Sequence, residues 1–261
     1  MPRSLLLRDR PAVIVVAVAG AGALATGDPR DALVMAALSV AWIAAVDRRQ
    51  GAMLGAVGLA TGVGPSALIA LPFFLGLAIA RRAGAVAWAI GLAAALAGFC
   101  ASSTLPLPYA NHDIAPLWRI IQALPLIGTQ PIAGLAWATT IGFGAAFAAW
   151  MTTQRTEGAR LFAPALVSVA VLTCVLPMGM AGGTPMLAML ALAVALHRRD
   201  REGWVVFAAT QAASVLLLLA RIAAIDALAV AGLCALILVI SRIAPPLLRP
   251  AANDNPALAL V

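Results

Sequence analysis

The chain has 261 residues, 63% of them hydrophobic and only 10% charged, and its formal charge of +7 comes from 17 basic residues that are all arginine. A soluble domain carries roughly 25% charged residues, so this chain could not cover itself with a polar surface, and a water-soluble globular protein is excluded. The arginines stand in short clusters between apolar runs, a pattern of membrane orientation and not of nucleic-acid binding.

Apolar runs follow one another from Pro11 to Ile243, each long enough to be a membrane segment or part of one. Backbone polar groups in lipid must be satisfied internally, which leaves helices or a closed barrel. Strand-like alternation is absent, and Ala, Leu and Gly dominate. The expected fold class is therefore all-α: a polytopic integral membrane helical bundle of about ten segments. They fall at roughly 11–26, 31–46, 51–63, 65–80, 84–105, 131–150, 162–178, 185–196, 203–220 and 227–243. One transmembrane domain would cover 1–250, and a disordered tail 251–261.

At the start, Arg3, Arg8 and Arg10 precede an apolar stretch ending in Ala23-Leu24-Ala25. This resembles a cleavable signal peptide, but a retained first helix is the expectation; either reading puts Asp28 outside. The stretch 51–80 is apolar throughout yet holds Gly64-Pro65-Ser66. Read as two short helices, 51–63 and 65–80 reach only roughly 20 and 24 Å against a hydrocarbon core of ~30 Å. They would then form a shallow pair with both flanks, Asp47-Arg48-Arg49 and Arg81-Arg82, on the cytoplasmic side. Every arginine except Arg30, Arg119 and Arg221 falls inside in that arrangement, whereas one kinked span would turn most of them outward. The positive-inside rule selects the pair and places both termini in the cytoplasm. The compartment expected is the inner membrane of a bacterium.

A second broken pair is expected at 162–178 and 185–196, separated by the glycine-rich run from Gly179 to Thr184. Thr184 is placed as the N-cap of its returning helix, and Pro65 and Pro185 sit in first turns. Two helix amino ends, near Ser66 and Thr184, would then point at the outer half of the bundle, where they suit a phosphate or carboxylate. Short interrupted segments also mark binding sites in transporters. The plainer reading is that Gly and Pro there let helices pack closely.

The longest loop, 105–130, is expected outside. Ile114, Leu117, Trp118, Ile121 and Leu124 share one helical face, with Asp113 as N-cap, so a short amphipathic helix lying on the outer leaflet is expected, either covering the entry of a lipid substrate or serving as a plain connector. Ahead of it stands Asn111-His112-Asp113, which with Asp28, Arg30, Asp31, Arg221 and Asp226 makes a sparse external set of polar side chains. Aspartates can position a hydroxyl acceptor or a divalent cation, and arginines can hold phosphate. None of these residues has diagnostic spacing, and Asp28 and Asp31 also fit helix caps. Cys100, Cys174 and Cys234 lie within apolar runs with no metal-ligand spacing, and no nucleotide-binding loop occurs.

Two stretches carry a family resemblance. "GDPRDALVMAALSVAWIAAVDRRQGAMLGAVGLATGVGPSALIALPFFL" and "VLPMGMAGGTPMLAMLALAVALHRRDREGWVVFAATQAASVL" together resemble polyprenyl-phosphate-dependent glycosyltransferases of the GT-C type, especially bacterial mannosyltransferase-like members. Gly27 and Asp31 stand where that family has Gly-Gln-x-Asp, and Gly64-Pro65-Ser66 where it has Lys-Pro-Gln. Its His-Glu-Arg-Tyr is replaced by Met180-Ala181-Gly182-Gly183, and its large first external loop has no counterpart.

The resemblance implies transfer of a sugar from a polyprenyl-phosphate donor on the outer face. Asp28, Asp31 or Asp113 would be the general base, and Ser66, Thr184, His112, Arg119 and Arg221 would hold substrate. Two rivals stand beside this. One is a non-catalytic membrane subunit of the same descent that binds a lipid or a partner membrane protein. The other is a small transporter or lipid flippase, for which intramembrane charges would be expected.

Overall fold

A computed structural model describes residues 29–102, 117–118, 121, 129–154, 158–176, 180–223 and 226–248. In order these give α1 (Pro29–Val46), α2 (Gln50–Val63), a 3-10 turn (Pro65–Ile69), α3 (Leu71–Ala80) and α4 (Ala85–Ser102). Then come α5 (Thr129–Thr153), a second 3-10 turn (Gly158–Leu161), α6 (Phe162–Val175), α7 (Met180–Arg198), α8 (Arg201–Ala223) and α9 (Asp226–Leu248). No strand occurs among the described residues. The expected segment 11–26 lies outside them.

Among the described residues, five stretches are helical, long and apolar enough to cross a membrane: Ala85–Ser102, Gly134–Thr153, Gly158–Val175, Arg201–Ala220 and Ala227–Pro245. Gln50–Val63, Leu71–Ala80 and Gly183–Arg198 are shorter apolar helices. The outward faces match: Leu92 and Phe99 on α4, Ile141 on α5, Val215 on α8 and Ile237 on α9 are all exposed. Helices that are apolar on the outside as well as the inside fit a membrane protein and not a soluble bundle.

Hydrogen bonds between distant residues fix the directions of α1 to α4. Gln50 at the start of α2 donates through Nε2 to the Arg81 carbonyl just after α3, at 3.0 Å. Arg81 Nη1 in turn donates to the Ala45 carbonyl near the end of α1, at 2.7 Å. The two ends of 50–81 therefore meet at one end of the bundle, and the stretch is a hairpin of two short helices, not a single kinked span. Its turn sits at the other end, where Ser66 Oγ donates to Asp31 Oδ1 at 3.2 Å. The Arg30 guanidinium there donates to the Ser102 carbonyl at the end of α4. Further along, α6 and α7 run side by side, with Gly183 against Thr173. Gly203 at the start of α8 sits beside Ala195 near the end of α7. The chain thus runs back and forth between an arginine end (Arg48, Arg49, Arg81, Arg82, Arg160, Arg198, Arg199, Arg201) and an aspartate end (Asp31, Ser66, Ser102).

Packing explains which helices lie inside. Trp42 of α1 is fully buried between Phe73 and Phe74 of α3, with ring centroids 4.7 and 4.3 Å away, and Phe162 of α6 lies at 6.5 Å. Small residues bring other pairs together. A Cβ on Gly58 or Gly62 of α2 would overlap the carbonyl oxygen of Gly91 or Ala95 on α4. Among the described residues, α4 packs almost wholly against α2, so one glycine-lined face docks it while most of the rest is exposed. With no hydrophobic drive between helices in lipid, such close backbone approach is what holds helices together.

Three turns at the arginine end share one device. Arg48, Arg82 and Arg199 each follow a helix in the left-handed conformation, with φ of 60°, 52° and 56°. Behind the first two, the amides of Arg49 and Ala83 donate back to the Ala44 and Ala78 carbonyls, closing the helix ends. A side chain in that conformation costs about 1–2 kcal/mol, and a cation at a helix carboxyl end returns about 0.3–1 kcal/mol. The dipole alone does not repay the strain, so glycine would be the easier residue if charge had no further use there.

Two expectations change. The helix expected to begin at Pro185 begins at Met180, and Pro185 lies inside α7. Pro185 stands close enough to the amino end that few helical hydrogen bonds are lost. The amphipathic face in the long loop turns onto protein instead of lying on the outer leaflet: Trp118 is buried, and Leu117 and Ile121 pack against the core. The Trp118 indole donates to the Val175 carbonyl, one of the groups a helix end leaves unpaired. Ile114 and Leu124 lie outside the described residues, as does the tail.

Candidate functional site at the aspartate end

The aspartate end is where the sequence places its site, and the fold brings part of it together. Asp31 stands in the first turn of α1, where a carboxylate suits the positive end of the helix dipole. Gly64 is extended (φ −159°, ψ 149°) and breaks α2. Pro65 then opens the 3-10 turn, which carries Ser66 back across the end of α1. Ser66 is buried and its hydroxyl donates to the half-buried Asp31 carboxylate. Arg30, also half-buried, ties α1 to the last turn of α4 through Ser102. The same 3-10 turn packs against α7, the helix that bears Thr184. Asp31 and Ser66 therefore meet at this end, where the amino end of α7 also lies by chain direction.

The arrangement differs from an open phosphate cradle. The 3-10 turn is short, and its beginning faces the Asp31 carboxylate through Ser66. A phosphate brought within 4 Å of that carboxylate would meet repulsion of about 4 kcal/mol at an effective dielectric of 20. Thr184 is not a cap: it lies inside α7, after Met180–Gly183, and is half-buried. The Ser66 turn thus already faces a carboxylate, and Thr184 does not cap its helix.

Arg221 lies near the end of α8, at the aspartate end by chain direction, but its side chain is outside the description. Asp28, His112, Asp113 and Arg119 also lie outside the described residues. Among the described residues, no group of three or more His, Cys, Asp or Glu side chains could hold a metal ion. Sequence reasoning missed the Arg30–Ser102 tie and the capping of α6 by Trp118. Each joins residues far apart in the chain, so no local pattern announces it.

No protein-family model matches the chain, and no curated protein or solved structure matches it.

Proposed function

We propose that the protein is a non-catalytic, multi-pass subunit of a bacterial inner membrane, GT-C-like in descent, that binds a partner membrane protein or a lipid. The observation that supports this reading is the Asp31–Ser66 contact, which puts a carboxylate beside the turn expected to hold a donor phosphate. The family positions that would supply Lys and Arg partners for that phosphate are Gly64 and Gly182 or its neighbours in this chain. In this reading about ten segments cross or enter the membrane, with the arginine end in the cytoplasm.

Native mass spectrometry of the protein, extracted gently from its own membrane, tests it. A stoichiometric partner without a polyprenyl phosphate is the expected result. A bound polyprenyl-phosphate sugar, consumed on addition of an acceptor, would overturn it.

A second reading, sugar transfer from a polyprenyl-phosphate donor, has one observation in its favour. Asp31 is a carboxylate held in place by a buried serine, as a general base must be. It predicts that Asp31→Asn lowers transfer by at least 100-fold, while Asp47→Asn, at the opposite end, leaves it unchanged. Transfer undiminished in the Asp31 variant removes this reading.

A further inference from the structure

We propose that the arginine end of the bundle is a binding rim for the headgroups of anionic phospholipids in the leaflet it meets. Among the described residues, the charge at this end is neutralised only in part. Arg198 takes both carboxylates of its turn, Asp200 at 2.9 Å and Glu202 at 2.8 Å. Arg199 and Arg201 beside it are exposed and have no carboxylate partner among the described residues. Arg49, Arg82 and Arg160 are exposed in the same way, and Asp47 is the one other described acid at this end.

The depth of these cations follows from their neighbours. Trp88, 38% exposed, stands near Arg82 at the start of α4, with Val86 exposed beside it. Trp204, 47% exposed, stands just after Arg201 at the start of α8, with Val205 exposed beside it. Both helices are long and apolar enough to span. An exposed indole on such a helix settles at the boundary between acyl chains and headgroups. Arg201, a turn before Trp204 on α8, and Arg82, in the turn that precedes α4, then lie further out, at the level of the lipid phosphates, where basic residues attract anionic leaflets. Arg82 and Arg199 also keep their charge in a backbone conformation that glycine would adopt without strain. Orientation during insertion needs only net charge on this side. Retention of anionic lipid is a property of the folded protein, and it holds whether or not the protein is catalytic.

The full chain, purified and placed in nanodiscs of phosphatidylglycerol or of phosphatidylcholine alone, tests the proposal. The wild type is expected to melt several degrees higher in phosphatidylglycerol. In an Arg82→Gln, Arg199→Gln, Arg201→Gln variant that difference should fall by more than half, and in the corresponding triple Lys variant it should persist. Equal midpoints for the wild type, or an undiminished difference in the Gln variant, would overturn it. If the Gln variant does not fold, native mass spectrometry of the wild type from an equimolar mixture decides. Bound phosphatidylglycerol above the bath ratio is expected, and the bath ratio itself refutes the proposal.

Discussion

Gly58 and Gly142 are both glycines within apolar helices, yet their surroundings set them apart. A Cβ on Gly58 would run into the Gly91 carbonyl of α4, whereas one on Gly142 meets nothing within 4 Å. Gly58→Ala should therefore force α2 and α4 apart and cost about 1–3 kcal/mol, the usual range for overpacking. Gly142→Ala should be neutral or slightly stabilising, because alanine is the better helix residue. Thermal unfolding of both variants in one detergent checks this; equal midpoints would mean that the α2–α4 contact contributes nothing. The two glycines look alike in the sequence, and only the partner helix tells them apart. The same holds for Ser66, read as a possible phosphate ligand and found donating to Asp31, a residue 35 positions away.

At the scale of the element, α8 shows how a short signal sets a helix start. Asp200 Oδ1 accepts the Gly203 amide at 2.7 Å, so Asp200 caps the helix that begins at Arg201. That amide, and then the nearby Arg198 guanidinium, hold the Asp200 carboxyl below its ordinary value of 3.8. A carboxylate whose folded pKa is depressed stabilises the fold above its unfolded pKa, and the contribution is lost as pH falls through the folded value. Protection of the Gly203 amide from hydrogen exchange should thus hold through neutral pH and fade only below about pH 3.8. Asp200→Ala should remove it at every pH, at about 1 kcal/mol. Protection that survives this substitution would show that the cap does not secure the helix. "HRRDRE" carries this cap openly, since Asp followed by a helix is a local signal. The start of α7 is different: Thr184-Pro185 is an equally good start signal, yet the helix begins at Met180. Packing of Gly183 against Thr173 rewards the longer helix, and no pattern within α7 records that contact.

For the whole molecule, the back-and-forth path makes a strict statement about sidedness. Single cysteines replacing Arg49, Arg82 and Arg199, with Cys100, Cys174 and Cys234 changed to alanine, should all react with a membrane-impermeant reagent from the same side of sealed vesicles. If 49 and 82 reacted from opposite sides, the stretch between them would cross the membrane, and the hairpin joined by Gln50 and Arg81 would be wrong. This arrangement was legible beforehand because arginine clusters alternate with apolar runs of known length, and two short helices cannot each span ~30 Å. The loop carrying Trp118 was legible as amphipathic but not in its destination. An apolar helical face fits lipid and protein equally well, and the Val175 carbonyl, which accepts the Trp118 indole N–H, draws it to protein.

The sequence by itself determined that the protein is helical, apolar on its outside, and arginine-rich at one end, because composition and run length act residue by residue along the chain. Only the tertiary structure decided that Trp42 is enclosed by Phe73, Phe74 and Phe162, that α4 is held by the glycines of α2, and that Asp31 meets Ser66. Those outcomes depend on which helix faces which, and in a chain this uniformly apolar nearly every face is suited to burial. Shape and a few polar contacts then make the choice.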